Sequence, residues 1–463
     1  MSEPLLGPLA QWCAAFDARA CDAEDRARLF AIALDYASAL LSGTGHVLAP
    51  PYRAALAGPQ AGEGPCGVAG SSRPAPVSAA AQANAATAHF WEVDDAHRTS
   101  TSHPGVTVLP VVMALAEADP SIPLDRLQGA VVVGYEAMLR VGSWLGPAHY
   151  AVCHTTATAG CFAAAAAAAH ALGLDTDRTL AAFGHAGTQA AGLWQFLDDD
   201  VSAAKAFHCA TPVRNGLAAA FLAQAGIPGA PHVLEGRRGM ARAWGLDGGP
   251  ADMLRPEGRA MMHDVTVKGW PTCGQMHSAL DCATDVAAQI DAKAGEIASV
   301  LVEVPQSCLD VAFRTAPRDV AAAKFATAFC IGAVLAGRPP TFTGLNEDLL
   351  ADPAVRALEA MTEVRAEPAF TARFPKERPA RVSVTMADGR QLSAERSHRR
   401  GDPEEPWSEA EMIRRASDIL TLACVPVDVD RLVGWCRGFA SADANGRWRA
   451  ADLVGFSLAE TMA

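Results

Sequence analysis

Along roughly the first 260 residues, apolar positions return every three or four places and seldom alternate, which is the spacing of packed helices. Glu24 to Leu41 is rich in alanine, leucine and arginine and is followed by Gly43, so a first helix is expected there. Gly58 to Val77 is dominated by glycine, proline and serine and predicts a loop, or a short strand held by loops. Helix is expected again over Ala79 to His89, and the polar, proline- and glycine-bearing stretch from Phe90 to Gly105 reads as a connection. Helix resumes near Pro110, placed in a first turn where its missing N–H costs nothing; Leu109, Val112, Met113 and Ala116 share one face. Leu127 to Trp144, Thr156 to Leu172, Asp177 to Gly192 and Asn215 to Gln224 follow as helices.

After about Val265 the pattern changes. Ser299 to Val304 alternates and is β-branched, as do Val382, Val384 and Met386, with Asp388-Gly389 as a hairpin turn and Arg390 to Glu395 as the returning strand. A helix is expected between them, near Ala321 to Gly337, and helical spacing returns from Ser408 to Ala463. The fold class is therefore mainly α: a large helical domain of residues 1–265 and 405–463, with the tail packing back on it, and a smaller α+β domain of residues 266–404. No internal repeat is present at the spacing of solenoids or propellers.

A chain of 463 residues favours two domains, and its half-hydrophobic composition can fill both cores. A net charge of −13 argues against nucleic acid or an anionic membrane as partner, but leaves room for a locally basic site that takes a small anion. The 12 cysteines include no CxxC pair, read best as small buried hydrophobes, and suit a reducing compartment. Met1 to Ala10 lacks the features of a secretory signal, so a cytoplasmic location is expected. Thr155 to Gly173 is long enough to suggest a membrane span, but it is mostly alanine and carries His170; a buried helix is the better reading.

Five segments carry chemistry. Glu92, Asp94, Asp95 and His97, with His103 close behind, crowd carboxylates and imidazoles into the connection between two helices, a pattern suited to general acid–base work; a metal site or an ordinary polar capping loop are the alternatives. His149-Tyr150 and His154 precede a long apolar helix, and spacing alone favours a helix start with a satisfied histidine. Lys205, His208 and Arg214 follow the acidic run Asp198-Asp199-Asp200 and read either as solvated charge or as a cationic clamp for a carboxylate. Lys268 precedes Gly269-Trp270-Pro271, Cys273 and His277 at the expected domain boundary, where ligand sites are common; Cys273 is a weak candidate nucleophile. Lys324-Phe325 opens an apolar helix and is explained adequately by packing. There is no phosphate loop, no GxGxxG after a strand and no GxSxG elbow, so a nucleotide cofactor is not indicated.

At these segments the chain resembles the MmgE/PrpD family, which includes 2-methylcitrate dehydratases, cis-aconitate decarboxylases and iminodisuccinate epimerases. The similarity runs in order through Asp94-Asp95 with His103-Pro104, Gly134-Tyr135-Glu136, Gly146 to Tyr150 with His154 and Thr158-Ala159-Gly160, Ala186 to Leu193, Lys205 to His208, Lys268 to His277, and Gly401-Asp402-Pro403 with Pro406. The resemblance implies a helical domain with a smaller α+β lid, a homodimer, a cleft between the domains, and no required cofactor or metal. It places Asp94 or Glu92, His103, His154, Lys205 and Lys268 in that cleft, and Asp94 with the other four is expected to be catalytic; from the residues themselves, Glu92, His97, His208, Arg214 and His277 are expected to contact the substrate. Two departures stand out: Ala96 follows the acidic pair where the family often has threonine, and Phe325 to Phe329 replaces a Phe-Ser-x-Pro-Tyr segment. The expected activity is that of a lyase moving a proton next to a carboxylate of a small di- or tricarboxylic acid, by dehydration or decarboxylation. An epimerase on the same fold and a non-catalytic carboxylate binder are the alternatives.

Overall fold

A computed structural model describes residues 3–199, 201–290, 297–442 and 448–458. The protein is mainly α-helical, with three small sheets among the described residues. Its longest helices, Ala23–Gly43, Val77–His89, Gly105–Ala118, Leu124–Tyr150, Thr155–Ala171 and Phe207–Gln224, bury a shared apolar core. The alanine-rich helix Thr155–Ala171 is buried on nearly every face, and its small side chains let neighbours come close: a methyl on Gly160 would stand 3.0 Å from Pro212 of the Phe207–Gln224 helix. Among the described residues no helix is long and apolar enough to cross a membrane. The helices Glu409–Leu420 and Val429–Ala440 bury Met412, Ile419, Leu432 and Phe439 in the same core, so the described part of the tail packs back on the N-terminal helices. Residues 443–447 and 459–463 of the expected helical tail, and Asp200 of the acidic run, lie outside the described residues.

The first region holds more strand than its sequence pattern suggests. Strands β1 (Cys66–Val68) and β2 (Ser71–Ala75) form a small hairpin, and β3 (Ala96–His97) pairs with β4 (Val265–Thr266) across a long sequence gap. The main sheet is built from β5 (Ile297–Val304), β6 (Thr362–Ala366), β7 (Ala380–Met386) and β8 (Gln391–Arg396), in the order β6-β5-β7-β8. β5, β7 and β8 are antiparallel neighbours and the hairpin at Asp388-Gly389 forms as expected, whereas β6 runs parallel to β5. Val300, Val302, Val382 and Val384 point into a second apolar core, shared with Leu280, Phe329 and Ile331 and edged by Phe196 and Leu197.

The helix expected from Asn215 already begins at Phe207, and three others are bounded differently in ways that bear on the site. Helix begins at Gly105, directly after Pro104, and Pro110 lies inside it; the His-Pro turn, rather than the second proline, sets the start. The helix expected to reach Gly192 ends at Gly187, because the chain turns back so that the Gly192 carbonyl accepts the backbone N–H of His154 at 2.7 Å. The helix expected over Ala321 to Gly337 is broken into Val320–Ala323 and Thr327–Leu335. At the break the Lys324 carbonyl accepts from the Cys273 N–H at 2.9 Å and the Phe325 carbonyl accepts from Arg314 N–H at 3.0 Å.

Candidate active site

The site grows from the end of the helix Val77–His89. The chain leaves that helix through Glu92, whose φ of 58° is left-handed, an unusual conformation for a side-chain-bearing residue that the surroundings must hold in place. It then enters β3, whose pairing with β4 brings Thr266, and hence Lys268, beside Glu92. A second left-handed residue, Thr101 at φ 51°, and the bridge between His97 and Ser102 fold the loop back so that His103-Pro104 starts the next helix. Gly105 admits the close approach of that start to the acidic pair, since a Cβ there would lie 2.9 Å from Asp95 Oδ1.

His103 is oriented by two groups. Its Nδ1 lies 2.8 Å from the Asp95 carbonyl and 3.1 Å from Asp94 Oδ2. A carbonyl can only accept, so Nδ1 carries the proton and the lone pair of the neutral ring is on Nε2. That atom has no protein hydrogen bond among the described residues, and His103 lines a pocket. Asp94 is shared: its carboxylate also takes His89 Nδ1 at 2.9 Å. Glu92 accepts Lys205 Nζ at 2.5 and 2.7 Å, and Lys268 Nζ donates to the Glu92 carbonyl at 3.0 Å with the Glu92 carboxylate at 3.4 Å. His89 Nε2 reaches 3.3 Å from Glu92 but off hydrogen-bond geometry. His154 stands at the N-cap of Thr155–Ala171 without capping it; its ring meets Trp194 at 4.6 Å and shares an Nδ1–Nδ1 hydrogen bond of 3.3 Å with His208. The His103 and His154 rings are 5.9 Å apart.

Charge follows from this packing. Burial pushes the Glu92 carboxyl up, but Lys205, His89 and Lys268 outweigh it and hold the group well below the usual range. Asp94 is likewise held down against its burial by His89, Lys268 and His103. Burial would neutralise His89, yet Asp94 and its neighbours raise it well above an ordinary histidine. His103 is different: burial, followed by Lys268, lowers it to about 4, so it is a neutral base at neutral pH. His154 is also held well below its usual value, by burial and then by Lys205. Two ammonium groups and one imidazolium thus face two carboxylates, leaving the site positive within an acidic chain.

These shifts predict an acid-sensitive fold. His97 is lowered to about 3, and His103, His149 and His208 to about 4, mainly by burial. In the unfolded chain they titrate near 6.5, so the unfolded state takes up protons first, and the stability these groups contribute above pH 6.5 is lost as pH falls toward 4. Asp95, raised to about 7 by burial and by Asp35, acts oppositely: its contribution is present at low pH and is lost as pH rises through 7. His46, His154, His170 and His277 are lowered too, and Asp35, Glu117 and Asp281 are raised with Asp95; because the lowered imidazoles outnumber the raised carboxyls, thermal melting should drop steeply between pH 6.5 and 4. A melting temperature that stays level down to pH 4.5 would contradict this accounting.

The pocket wall brings together Glu92, His97, His103, His154 and Lys205 of the expected residues. Asp94 stands behind His103, Lys268 is fully buried behind Glu92, and His208 touches the pocket through His154. Two expected substrate contacts are displaced. Arg214 is exposed on the helix Phe207–Gln224 and does not line the pocket. It lies six residues after His208, roughly one and two-thirds turns, on another face. His277 is buried, donates from Nε2 to the Thr272 carbonyl at 3.1 Å, and tightens the Lys268–His277 turn. Cys273 does line the pocket, with burial pushing its thiol up, away from a thiolate. Of the departures noted above, Ala96 faces the pocket, whereas Phe329 packs in the second core under Arg356; Phe325 and the phenol of Tyr150 occupy the wall.

Several residues were hidden from sequence reasoning. His89 ends an alanine-rich helix and nothing in its spacing marks it, although its lone imidazole five residues before Asp94 was a usable signal. Arg98, Arg378 and Arg399 also line the pocket; the last two flank the β7–β8 hairpin, and only folding brings them here. Lys324, read as packing, is buried with Nζ donating to the Phe90 carbonyl at 2.8 Å and its pKa lowered to about 8, chiefly by burial. Ligand atoms of His89, Asp94 and His103 lie within 4.8 Å of one another, a donor set of metal-binding type. The Asp94 carboxylate is already engaged by two imidazole nitrogens, one of them the raised His89, and that charge with the nearby Lys268 opposes a further cation.

Comparisons with known proteins point to one family. Residues 7–250 match the MmgE/PrpD N-terminal domain and residues 270–431 the MmgE/PrpD C-terminal domain. The chain is 36% identical over 182 residues to a cis-aconitate decarboxylase-like protein of Aspergillus oryzae, covering 37% of each chain. It is 29% identical over 227 residues to the cis-aconitate decarboxylase of Mus musculus, covering 46% of this chain and 44% of the relative. Against the cis-aconitate decarboxylase of Homo sapiens it is 26% identical over 336 residues, covering 68% of this chain and 66% of the relative. The matched stretches thus span less than two thirds of each relative's length.

Proposed function

The chain belongs to the MmgE/PrpD family, and on that premise we propose that it is a lyase acting on a small di- or tricarboxylic acid by proton transfer next to a carboxylate. The observation that carries this reading is His103: neutral, with Nδ1 fixed on the Asp95 carbonyl and Nε2 facing a cation-rich pocket. Nε2 takes a proton from the carbon beside a substrate carboxylate, and the freed electron pair delocalises into that carboxylate. Lys205 stabilises the growing charge, while Lys268 and His89 hold Glu92 and Asp94 ionised behind the wall. In a dehydration, the pair then forms the carbon–carbon double bond as the β-hydroxyl leaves, taking back the proton from the His103 imidazolium to depart as water, which restores the neutral base. Decarboxylation runs the other way: His103 Nε2 first takes a proton from solvent and then delivers it to carbon as carbon dioxide departs. The site's own cations supply the charge stabilisation, so we assign it no cofactor or metal.

We read residues 266–404 as the lid, since Cys273, Phe325, Arg378 and Arg399 bring that part of the chain to the same pocket as His103 and Lys205. A cytoplasmic homodimer is part of the same reading; all twelve cysteines are free, ten of them buried, in keeping with a reducing compartment.

A second reading is supported by the pair of neutral imidazoles, His103 and His154, facing one pocket with rings 5.9 Å apart. Two bases on different sides of a carbon can remove a proton from one face and return it to the other, which is epimerisation. Proton NMR in deuterated water with citrate, 2-methylcitrate, cis-aconitate and iminodisuccinate separates the two. A new alkene signal or a lost carboxylate establishes the lyase; deuterium uptake without loss of mass establishes the epimerase; silence across the panel with folded protein overturns both.

A further inference from the structure

Each cation on the pocket wall but one is matched to a carboxylate. Lys205 is paired with Glu92, Arg98 with Glu404, and Arg399 with Asp402 at 2.8 Å. Arg378 has no carboxylate partner among the described residues. It is 3% exposed, stacks on Phe374 at 4.4 Å, and donates only to main-chain carbonyls: Nη1 to Pro375 at 3.0 Å and, weakly, to Glu377 at 3.5 Å, and Nη2 to Arg98 at 2.6 Å. Five N–H groups meet at most three acceptors, so two donors remain unused. A buried guanidinium without a counter-charge is costly to keep, and burial and the adjacent Arg399 pull its pKa down to about 9. Its position is nonetheless firm, because its backbone N–H donates to the Ser397 carbonyl at 3.2 Å and so anchors it at the open end of the β7–β8 hairpin.

We propose that Arg378 is the anchor for a second carboxylate of the substrate, the one remote from the reacting carbon, and that this makes the site selective for acids with at least two carboxylates. This rests on the reading of the pocket as a carboxylate site and deepens it by assigning the residue that measures the substrate. The reacting end belongs to His103 and Lys205. The fork of Arg378, beside Tyr150 and Gln275 on the same wall, takes the other end through its unused donors, and an incoming carboxylate supplies the counter-charge that the protein omits.

The test is calorimetric binding of unreactive acids to the full chain: tricarballylate, glutarate and butyrate against wild type, Arg378→Gln and Arg378→Lys. Tricarballylate and glutarate should bind wild type well above butyrate. Arg378→Gln should weaken both by about 30-fold, the worth of a charged hydrogen-bonded contact. Arg378→Lys, which keeps the charge but loses the fork, should recover part of that loss. Butyrate should bind wild type weakly and be indifferent to either Arg378 variant. Equal affinity of wild type for butyrate and glutarate overturns the proposal without relying on any variant, as does undiminished glutarate binding by Arg378→Gln. Dicarboxylate binding that depends on Arg378, in a protein that turns over no acid in the panel, would uphold the anchor while refuting the lyase.

Discussion

Replacing His103 by alanine is expected to lower turnover by about a thousandfold, the scale of a lost general base, while leaving the protein folded. The side chain stands on the pocket wall, and its removal forfeits one N–H donor shared by the Asp95 carbonyl and the Asp94 carboxylate, worth about 1–3 kcal/mol. The melting temperature should therefore move by only a few degrees while kcat collapses. The pH profile gives an independent check. Because burial and Lys268 lower His103 to about 4, the ring is already a free base at pH 6, where an ordinary histidine would be mostly protonated. The acid limb of kcat/KM should accordingly fall near pH 4 to 5 and not near 6.5. A folded His103→Ala enzyme that retains most of its activity would remove this residue from the chemistry.

The second large effect concerns Glu92. Exchanging it for glutamine keeps the shape but takes from Lys205 its ion-pair partner and leaves Asp94 as the carboxylate that still acts on Lys205 and Lys268 in a buried site. Removing one partner from a buried ion pair costs about 3–5 kcal/mol, because the remaining charge is left uncompensated. Lys205→Met should cost less, since Glu92 would keep Lys268 and His89 as neighbours. The double variant should be more stable than the sum of the two single losses predicts, with a coupling of about 1 kcal/mol or more. Urea unfolding of the four proteins at pH 8 measures that cycle. Strict additivity would mean that the pair does not act as a unit, and the left-handed backbone at Glu92 would then need another explanation.

Much of the fold was legible because period is a local property. The helix around Leu109 and Val112, the alternation over Val382 to Met386 and the Asp388-Gly389 turn follow from neighbours a few residues apart. The polar loop between two buried helices was also legible, and so were Asp94 and His103 within it. Elements whose shape depends on a distant partner were not. The break after Ala323 exists because the Lys324 carbonyl is needed by Cys273, and the helix from Thr176 stops early because Gly192 is needed by His154. Strand β3 has two residues and becomes a strand only when Thr266 arrives.

The same division runs through the site. By itself the sequence determined the inventory: a histidine before Pro104, an acidic cluster, two lysines in polar turns, and an overall negative charge that leaves any basic pocket local. Only the tertiary structure decided which of these meet. Glu92 and Lys205 are 113 residues apart in the chain yet share a buried ion pair. His89 is drawn into the network, Arg214 turns to solvent, and Arg378 arrives from beyond the main sheet without a counter-ion. The physical reason is range. Periodicity and turn chemistry act over a few residues and can be read along the chain, whereas desolvation and Coulomb energy depend on distance in space, which is fixed only when the two cores have packed.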